Sequence, residues 1–287
     1  MEVLIQPNAE HAAMMAAWLI ARQLRAQPDS VLGLATGRTM EGVYHRLVGL
    51  HRDHGLDFSR CRTFNLDEYI GLPPDDPRSY RQYMNHHLFN RVNIDLRNTH
   101  LPDGTAADLK AACREYEASI RRCGGIDLQL LGIGVSGHIG FNEPLSALRS
   151  RTRDKSLTPA TRRQNAAMFG GNPENVPPRA LTMGVGTILE ARALLVVVTG
   201  AEKADILAQA VEGPITSMVS ASAIQLHEDC KVIADETAAS RLQGGAYYRW
   251  IFENEPDWNE ARRALNTDDP GNAKTSAHRR AGGPHDH

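Results

Sequence analysis

The chain has 287 residues, 41% of them hydrophobic and 23% charged, with a formal net charge of -2 at pH 7. This is an ordinary balance for a soluble globular protein, long enough to bury a substantial core in one large α/β domain, and a second folded domain is not required. The near-neutral charge gives no electrostatic reason for a nucleic acid or membrane partner, and Cys61, Cys113, Cys123 and Cys230, scattered without a Cys-x-x-Cys pair, suit reduced thiols in the cytoplasm better than a disulfide frame or zinc site.

Glu2 to Gln6 has the pattern of a first strand, and a helix is expected from near Asn8 or Glu10 to just before Pro28. Its apolar stretch, Ala12 to Ala21, is too short to span a bilayer and has no basic leader, so neither a membrane span nor a secretion signal is expected. Val31 to Thr36 reads as the next strand. Thr36, Gly37, Arg38 and Thr39 then lead into a helix with Val43, Leu47 and Leu50 on one face. Such a turn suits a phosphate, because backbone N–H groups and the helix dipole face the anion while Gly37 permits close approach and the threonine hydroxyls donate. The plainer reading is an ordinary strand-to-helix turn with a threonine cap.

Thr63 to Tyr69 reads as a third strand carrying Asp67 and Glu68 at its end. Neighbouring strand residues face opposite sides, so one acid can enter a pocket while the other supports the structure. Pro77 to Asn90 and Ala107 to Arg122 are expected as surface helices, the second with Leu109, Cys113, Tyr116 and Ile120 at helical spacing. His86 and His87 point about 100° apart on a helix and lack a third ligand, so no metal site is read there.

The stretch that organises the chain is Ile126 to Pro144, IDLQLLGIGVSGHIGFNEP. An apolar run, Ile126 to Ile133, ends among Gly132, Gly134 and Gly137, as a buried strand entering a tight turn does. His138 and Glu143 follow. A histidine and a carboxylate delivered at the carboxyl edge of a sheet are placed for acid/base work where open α/β folds bind ligands. The same glycines match G-x-G-x-x-G, but Pro144 blocks the helix that a dinucleotide turn needs, and Asp154, the available ribose-binding acid, stands among Arg151, Arg153 and Lys155.

Arg149, Arg151, Arg153 and Lys155 form a basic run with the look of a solvated face. Ser156 to Pro178 is polar and rich in glycine and proline. Ala193 to Thr199 is another buried strand, Gly200 to Lys203 opens a helix, and Ser220 to Leu226 and Lys231 to Ala234 supply a helix and a last strand. Tyr247 to Leu265 reads as a terminal helical region. Residues 266–287 lack large apolar side chains and are expected to be disordered, with His278, His285 and His287 in a solvated tail.

Three stretches in register carry a specific resemblance: LGLATGRT at Leu32 to Thr39, TFNLDEYIGL at Thr63 to Leu72, and LGIGVSGHIGFNEP at Leu131 to Pro144. Together they resemble the phosphate loop, the catalytic-base segment and the active-site signature of the glucosamine-6-phosphate deaminase family. The similarity continues through SRTRDKSLT, VPPRALTMGVGTILEA and TGAEKADILAQAVEGP and covers roughly residues 1–250. With the alternation of strands and helices it gives an α/β fold: an open, mostly parallel Rossmann-like sheet with helices on both faces, as a single domain over 1–265 with a lid at about 156–180. The activity implied is isomerisation and deamination of glucosamine 6-phosphate to fructose 6-phosphate and ammonia, without metal or organic cofactor. The resemblance makes Asp67 the base at carbon 2, His138 the proton carrier for ring opening, Glu143 its orienting partner, and Lys203 a phosphate ligand beside Thr36, Gly37 and Thr39. It also implies that Ser146, Arg153 and Lys155 bind the phosphate of an effector, N-acetylglucosamine 6-phosphate, at a subunit interface. That suggests a homo-oligomer, up to a hexamer, although other members are monomers.

Three departures from the family pattern stand out. Arg38 replaces a small residue, often glycine. The segment matching the family's phosphate-binding arginine, Asn165 to Phe169, reads NAAMF and holds none. Arg38 is expected to take over that contact, with Arg162 and Arg163 as alternatives. Ser136 stands where aspartate, or in others asparagine, is usual; a hydroxyl can hydrogen-bond His138 but brings no negative charge, so slower ring opening or a displaced pH optimum is expected. These departures keep open another amino-sugar phosphate, such as galactosamine 6-phosphate, as substrate, and a sugar-phosphate sensor without turnover. Lactone hydrolysis fits GHIGFNEP less well.

Overall fold

The computed structural model describes residues 1–267. In chain order the elements are β1 (Glu2–Gln6), α1 (Ala9–Ala26), β2 (Val31–Leu34), α2 (Arg38–His54), β3 (Arg62–Asn65), β4 (Asp67–Tyr69), α3 (Tyr80–His87), β5 (Thr99–His100), α4 (Leu109–Arg122) and β6 (Leu128–Leu131). They continue with β7 (Arg153–Ser156), α5 (Pro159–Asn165), β8 (Arg179–Thr182), α6 (Val185–Leu189), β9 (Ala193–Val198), α7 (Ala204–Val211), β10 (Cys230–Asp235), α8 (Gly245–Asn254) and α9 (Asn259–Thr267).

Seven strands pair in parallel in the order β1-β10-β9-β6-β2-β3-β5. Strands covered by helices on both faces read as continuous apolar runs, and β9, ALLVVV, is buried at all but its first position. Local signals set the helix limits. Asn8 caps α1 by accepting from the His11 amide at 3.0 Å, and the helix buries Met15, Ala16, Leu19, Ile20 and Leu24. Gly55, at φ 64°, ends α2 in the left-handed conformation that favours glycine.

The strand order reverses between β2 and β6. From β2 the chain moves outward to β3 and β5, then returns to the other side of β2 and continues through β9 and β10. The segments after β2 and β6 therefore diverge at the carboxyl ends of adjacent strands and leave a crevice, the usual binding place in open α/β sheets.

Thr63 to Tyr69 is not one strand. Leu66 still donates its amide to Leu34 O at 3.0 Å, while its carbonyl accepts from Met183 at 2.7 Å in a different sheet. The chain pivots there, so β3 stays in the parallel sheet and β4 enters a small antiparallel sheet, β4-β8-β7, that the sequence did not announce. Several elements are also shorter than expected. The strand from Ile126 to Ile133 contracts to β6, and Ser220 to Leu226 is a 3-10 helix. The Pro77 to Asn90 segment is α3 followed by a 3-10 turn at Phe89–Arg91, and because α3 buries Tyr80, Tyr83 and Met84 it is no surface helix. α9 runs to Thr267, two residues into the segment expected to be disordered; the rest of that segment, with His278, His285 and His287, lies outside the described residues. Among the described residues no helix is long and apolar enough to cross a membrane.

Candidate active site

The segment after β6 folds into the crevice without opening a helix, which disposes of the dinucleotide pattern. The His138 ring lies directly over Gly134, where any Cβ would collide with it, so glycine is required there for close approach. The Gly134 amide donates to His138 O at 2.8 Å and closes the turn. On the ring, Nδ1 faces both partners: Ser136 Oγ at 2.8 Å and Glu143 Oε2 at 3.4 Å. A carboxylate and a hydroxyl at one nitrogen favour the tautomer with its proton on Nδ1, leaving Nε2 free to take a proton.

Glu143 is buried and held from the other side. Its Oε1 accepts from the Thr158 amide at 2.9 Å and the Thr158 hydroxyl at 3.2 Å. Among the described residues Oε2 has no hydrogen-bond partner, because the contact to Nδ1 is a loose ion-pair approach while Ser136 takes the shorter one. Burial works to raise the carboxyl pKa, but His138, Thr161 and the Thr158 amide outweigh it and hold Glu143 at about 2, so it is ionised across the neutral range.

Asp67 reaches the same place from β4. It pairs with Thr182 of β8, whose hydroxyl accepts from the Phe141 amide at 3.1 Å, and a Cβ on Gly140 would stand 3.5 Å from Asp67 Oδ2. Asp67 and the His138 turn are thus neighbours across Gly140. Burial, and then the charge of Glu68, push the Asp67 carboxyl up to about 8. A buried carboxylate poised near neutrality beside a histidine can exchange protons with a bound carbon acid.

The Gly37 turn lies one strand away. Gly37, at φ 116°, precedes the exposed N-terminus of α2, and Thr39 Oγ1 meets Thr199 Oγ1 at 3.3 Å across the end of β6. Lys203 reaches into the gap and donates to Ile133 O at 2.8 Å; burial lowers its pKa, an effect that the neighbouring Glu202 opposes. Two helix-opening turns, two threonine hydroxyls and an ammonium make an anion cradle next to the His138 turn.

Two other groups were expected at or near the site. Ser146 Oγ accepts from Arg153 at 3.1 Å, Arg153 also donates to Asn142 Oδ1 at 2.9 Å, and Lys155 shares the Arg153 face of β7 two residues on. Two of the basic run are therefore not a freely solvated face, since Arg151 pairs with Glu117 and Glu190 and Arg153 is half-buried. The arginine candidates separate. Arg162 is committed inside the 156–180 segment, donating to Val176 O at 3.3 Å and Glu174 O at 3.1 Å. The side chains of Arg38 and Arg163 are exposed and make no hydrogen bond or ion pair among the described residues.

A family profile described as glucosamine-6-phosphate isomerases/6-phosphogluconolactonase matches residues 6–233. The chain belongs to that family. The glucosamine-6-phosphate deaminase of Arthrobacter sp. (strain FB24) is 50% identical over 258 residues, which are 90% of this chain and 99% of the relative. A solved monomeric glucosamine-6-phosphate deaminase superposes with a TM-score of 0.82 at 43% identity, covering 84% of this chain and all of that one. The 6-phosphogluconolactonase from Trypanosoma cruzi superposes with a TM-score of 0.69 at 19% identity, over 84% of this chain and 97% of that one, and shares the fold alone.

Within this isomerase/lactonase family member, sequence reasoning missed several residues that shape the site. Thr199 opens TGAEK and was read only as a strand end. Thr158, the N-cap of α5, ties the 156–180 segment to Glu143, and Gln164 of the same helix accepts from the exposed Val135 amide at 3.1 Å. The threonine cap before Pro159 was a legible helix-start signal. The Gln164 contact had none, because it joins residues 29 positions apart.

Proposed function

We propose that this protein converts glucosamine 6-phosphate to fructose 6-phosphate and ammonia, and that Asp67, His138 and Glu143 carry the reaction. The observation that carries the reading is Asp67: a buried carboxylate at about 8, set across Gly140 from a histidine turn and one strand from an anion cradle. The phosphate is held by the N–H groups of Gly37 to Thr39, by Thr36 and by Lys203, and remote binding energy places the sugar ring over the His138 turn.

His138 Nε2 moves the proton from the carbon 1 hydroxyl to the ring oxygen as the pyranose opens. Glu143 keeps the imidazole oriented and stabilises its cationic form, and Ser136 fixes it further by hydrogen bonding. Asp67 then removes the hydrogen of carbon 2, made acidic by the adjacent ammonium, the ammonium gives a proton to the carbon 1 oxygen to leave an enolamine, and Asp67 returns its proton to carbon 1. Bringing that ammonium beside Asp67 favours the ionised carboxylate. The imine left at carbon 2 takes up water, and ammonia departs to give the ketose. None of these steps calls for a metal or organic cofactor.

Segment 156–180 acts as a lid, hinged on Glu143 through Thr158 and latched to the turn by Gln164 at Val135. Arg38 or Arg163 supplies the phosphate contact that NAAMF lacks; Arg38 is favoured because it opens α2 beside Gly37. Ser146, Arg153 and Lys155 bind an effector phosphate such as that of N-acetylglucosamine 6-phosphate, supported by a half-buried guanidinium whose hydrogen-bond partners among the described residues are all uncharged. A homo-oligomer would place that site at a subunit contact. The working location is the cytoplasm, where sugar phosphates are confined and four free thiols stay reduced.

The test is ammonia release from glucosamine 6-phosphate, galactosamine 6-phosphate and unphosphorylated glucosamine, each with and without N-acetylglucosamine 6-phosphate. Preferred turnover of glucosamine 6-phosphate is expected. Preference for the galacto sugar would replace the substrate, and sugar binding without ammonia release would make the protein a sensor.

A further inference from the structure

Asp67 has a neighbour that the reaction as written does not use. Glu68 is buried on the opposite face of β4. Its Oε1 accepts from the Tyr69 amide at 2.8 Å and the Tyr80 amide at 3.0 Å, and Oε2 accepts from the Arg81 amide at 3.0 Å. Tyr80 and Arg81 are the first two residues of α3, so this carboxylate takes the N–H groups that the helix start leaves unpaired and bolts the helix to the strand.

The other contacts of α3 give the bolt a functional reach. Tyr83 donates its hydroxyl to Gly37 O at 2.8 Å, in the phosphate turn. The Tyr80 hydroxyl faces those of Tyr69 and Thr36. Arg81 anchors the outer side of the helix to β5 through Thr99, donating to its hydroxyl at 2.7 Å and its carbonyl at 3.0 Å. The phosphate turn and Asp67 sit on different strands, yet one helix links them and Glu68 fixes its near end.

We propose that Glu68 is a positioning residue: its carboxylate clamps the start of α3 to β4 and thereby holds the Gly37 turn, through Tyr83, in register with Asp67. The inference rests on the reading of Asp67 as the base at carbon 2. Two consequences differ from those of a purely structural cap. A loosened α3 releases the phosphate turn, which raises KM for the sugar phosphate. Loss of the Glu68 charge also removes a like charge one residue from Asp67, so the Asp67 pKa falls and the acidic limb of the kcat/KM profile moves to lower pH. The other titratable or charged groups around this pair are Tyr69 on β4, Tyr80 and Arg81 on α3, Tyr116 on α4, and His138 and Glu143 on the turn after β6.

The test compares Glu68→Gln, Tyr83→Phe and Asp67→Asn by steady-state kinetics with glucosamine 6-phosphate, by the pH profile of kcat/KM, and by thermal unfolding. For Glu68→Gln, KM is expected to rise by about three- to tenfold, with the acidic limb displaced downward. For Tyr83→Phe, the same order of KM increase is expected with kcat and the pH limb retained. A Glu68→Gln protein with a lowered Tm but parental KM and acidic limb would reduce Glu68 to a cap and overturn the proposal. If Glu68→Gln does not fold, Tyr83→Phe decides: parental KM overturns the link, raised KM upholds it. Full turnover by Asp67→Asn would instead remove the base reading while leaving the KM comparisons intact.

Discussion

Asp67 costs the fold what it gives the site. Its carboxyl lies well above the ordinary aspartate range, so between the unfolded pKa near 4 and the folded value of about 8 the unfolded chain loses its proton first. Stability from this group is fully present below the unfolded pKa and is lost as pH rises through the folded one. Asp67→Asn should therefore stabilise the protein, little near pH 4 and most at pH 8 and above. Ser136 is tested in the other direction: Ser136→Asp puts a negative charge beside Nδ1, which should displace the pH profile and accelerate ring opening, and unaltered kinetics would deny Ser136 any part in tuning His138. Arg38→Ala is expected to raise KM for the sugar phosphate by about tenfold with kcat retained. An unchanged KM there, with a raised one in Arg163→Ala, moves the contact to the 156–180 segment. At this scale His138 and Glu143 were marked in the sequence by the glycine-lined turn that precedes them, whereas Asp67 and Lys203 were singled out only by the family resemblance. Partners such as Thr199 or Gln164 were marked by neither, since only the fold brings them near.

Among the elements, the helices were read from periodicity and caps, and α1, with Asn8 at its start, lies where expected. What the pattern could not show was a strand that changes sheets. Thr63 to Asp67 alternates evenly through the point of division, and only the double use of Leu66, with its amide in one sheet and its carbonyl in the other, divides the stretch. α4 was read as a surface helix, yet its buried Glu117 accepts from the Thr152 amide at 2.8 Å and from the Thr152 and Thr187 hydroxyls at 2.6 Å, besides pairing with Arg151. It pins the segment leading into β7 against α6. Glu117→Gln keeps the shape but cannot accept all of these bonds, and a loss of roughly 1–3 kcal/mol in urea unfolding is expected. Burial acts to raise this carboxyl, but Thr152, Thr187 and Arg151 bring its pKa below the ordinary glutamate value. Its contribution is therefore present above the unfolded pKa and lost as pH falls through the folded one, so the deficit of the variant should shrink in acid.

For the whole molecule, seven parallel strands with a reversal between β2 and β6 put the Gly37 turn and the histidine turn on adjacent strand ends, and the small antiparallel sheet carries Asp67 over them. The parallel sheet was legible from apolar runs alternating with helices; the second sheet was not, because its strands are short and two of them are largely polar. The assembly brings three motifs distant in sequence to one crevice. The most direct test is ammonia release from saturating glucosamine 6-phosphate by the parent protein and by Asp67→Asn, with Tm measured on both. A parent that turns over, beside a variant slowed by about 10²–10⁴-fold with an equal or higher Tm at pH 8, is the expected result. A variant within a few-fold of the parent would contradict the account.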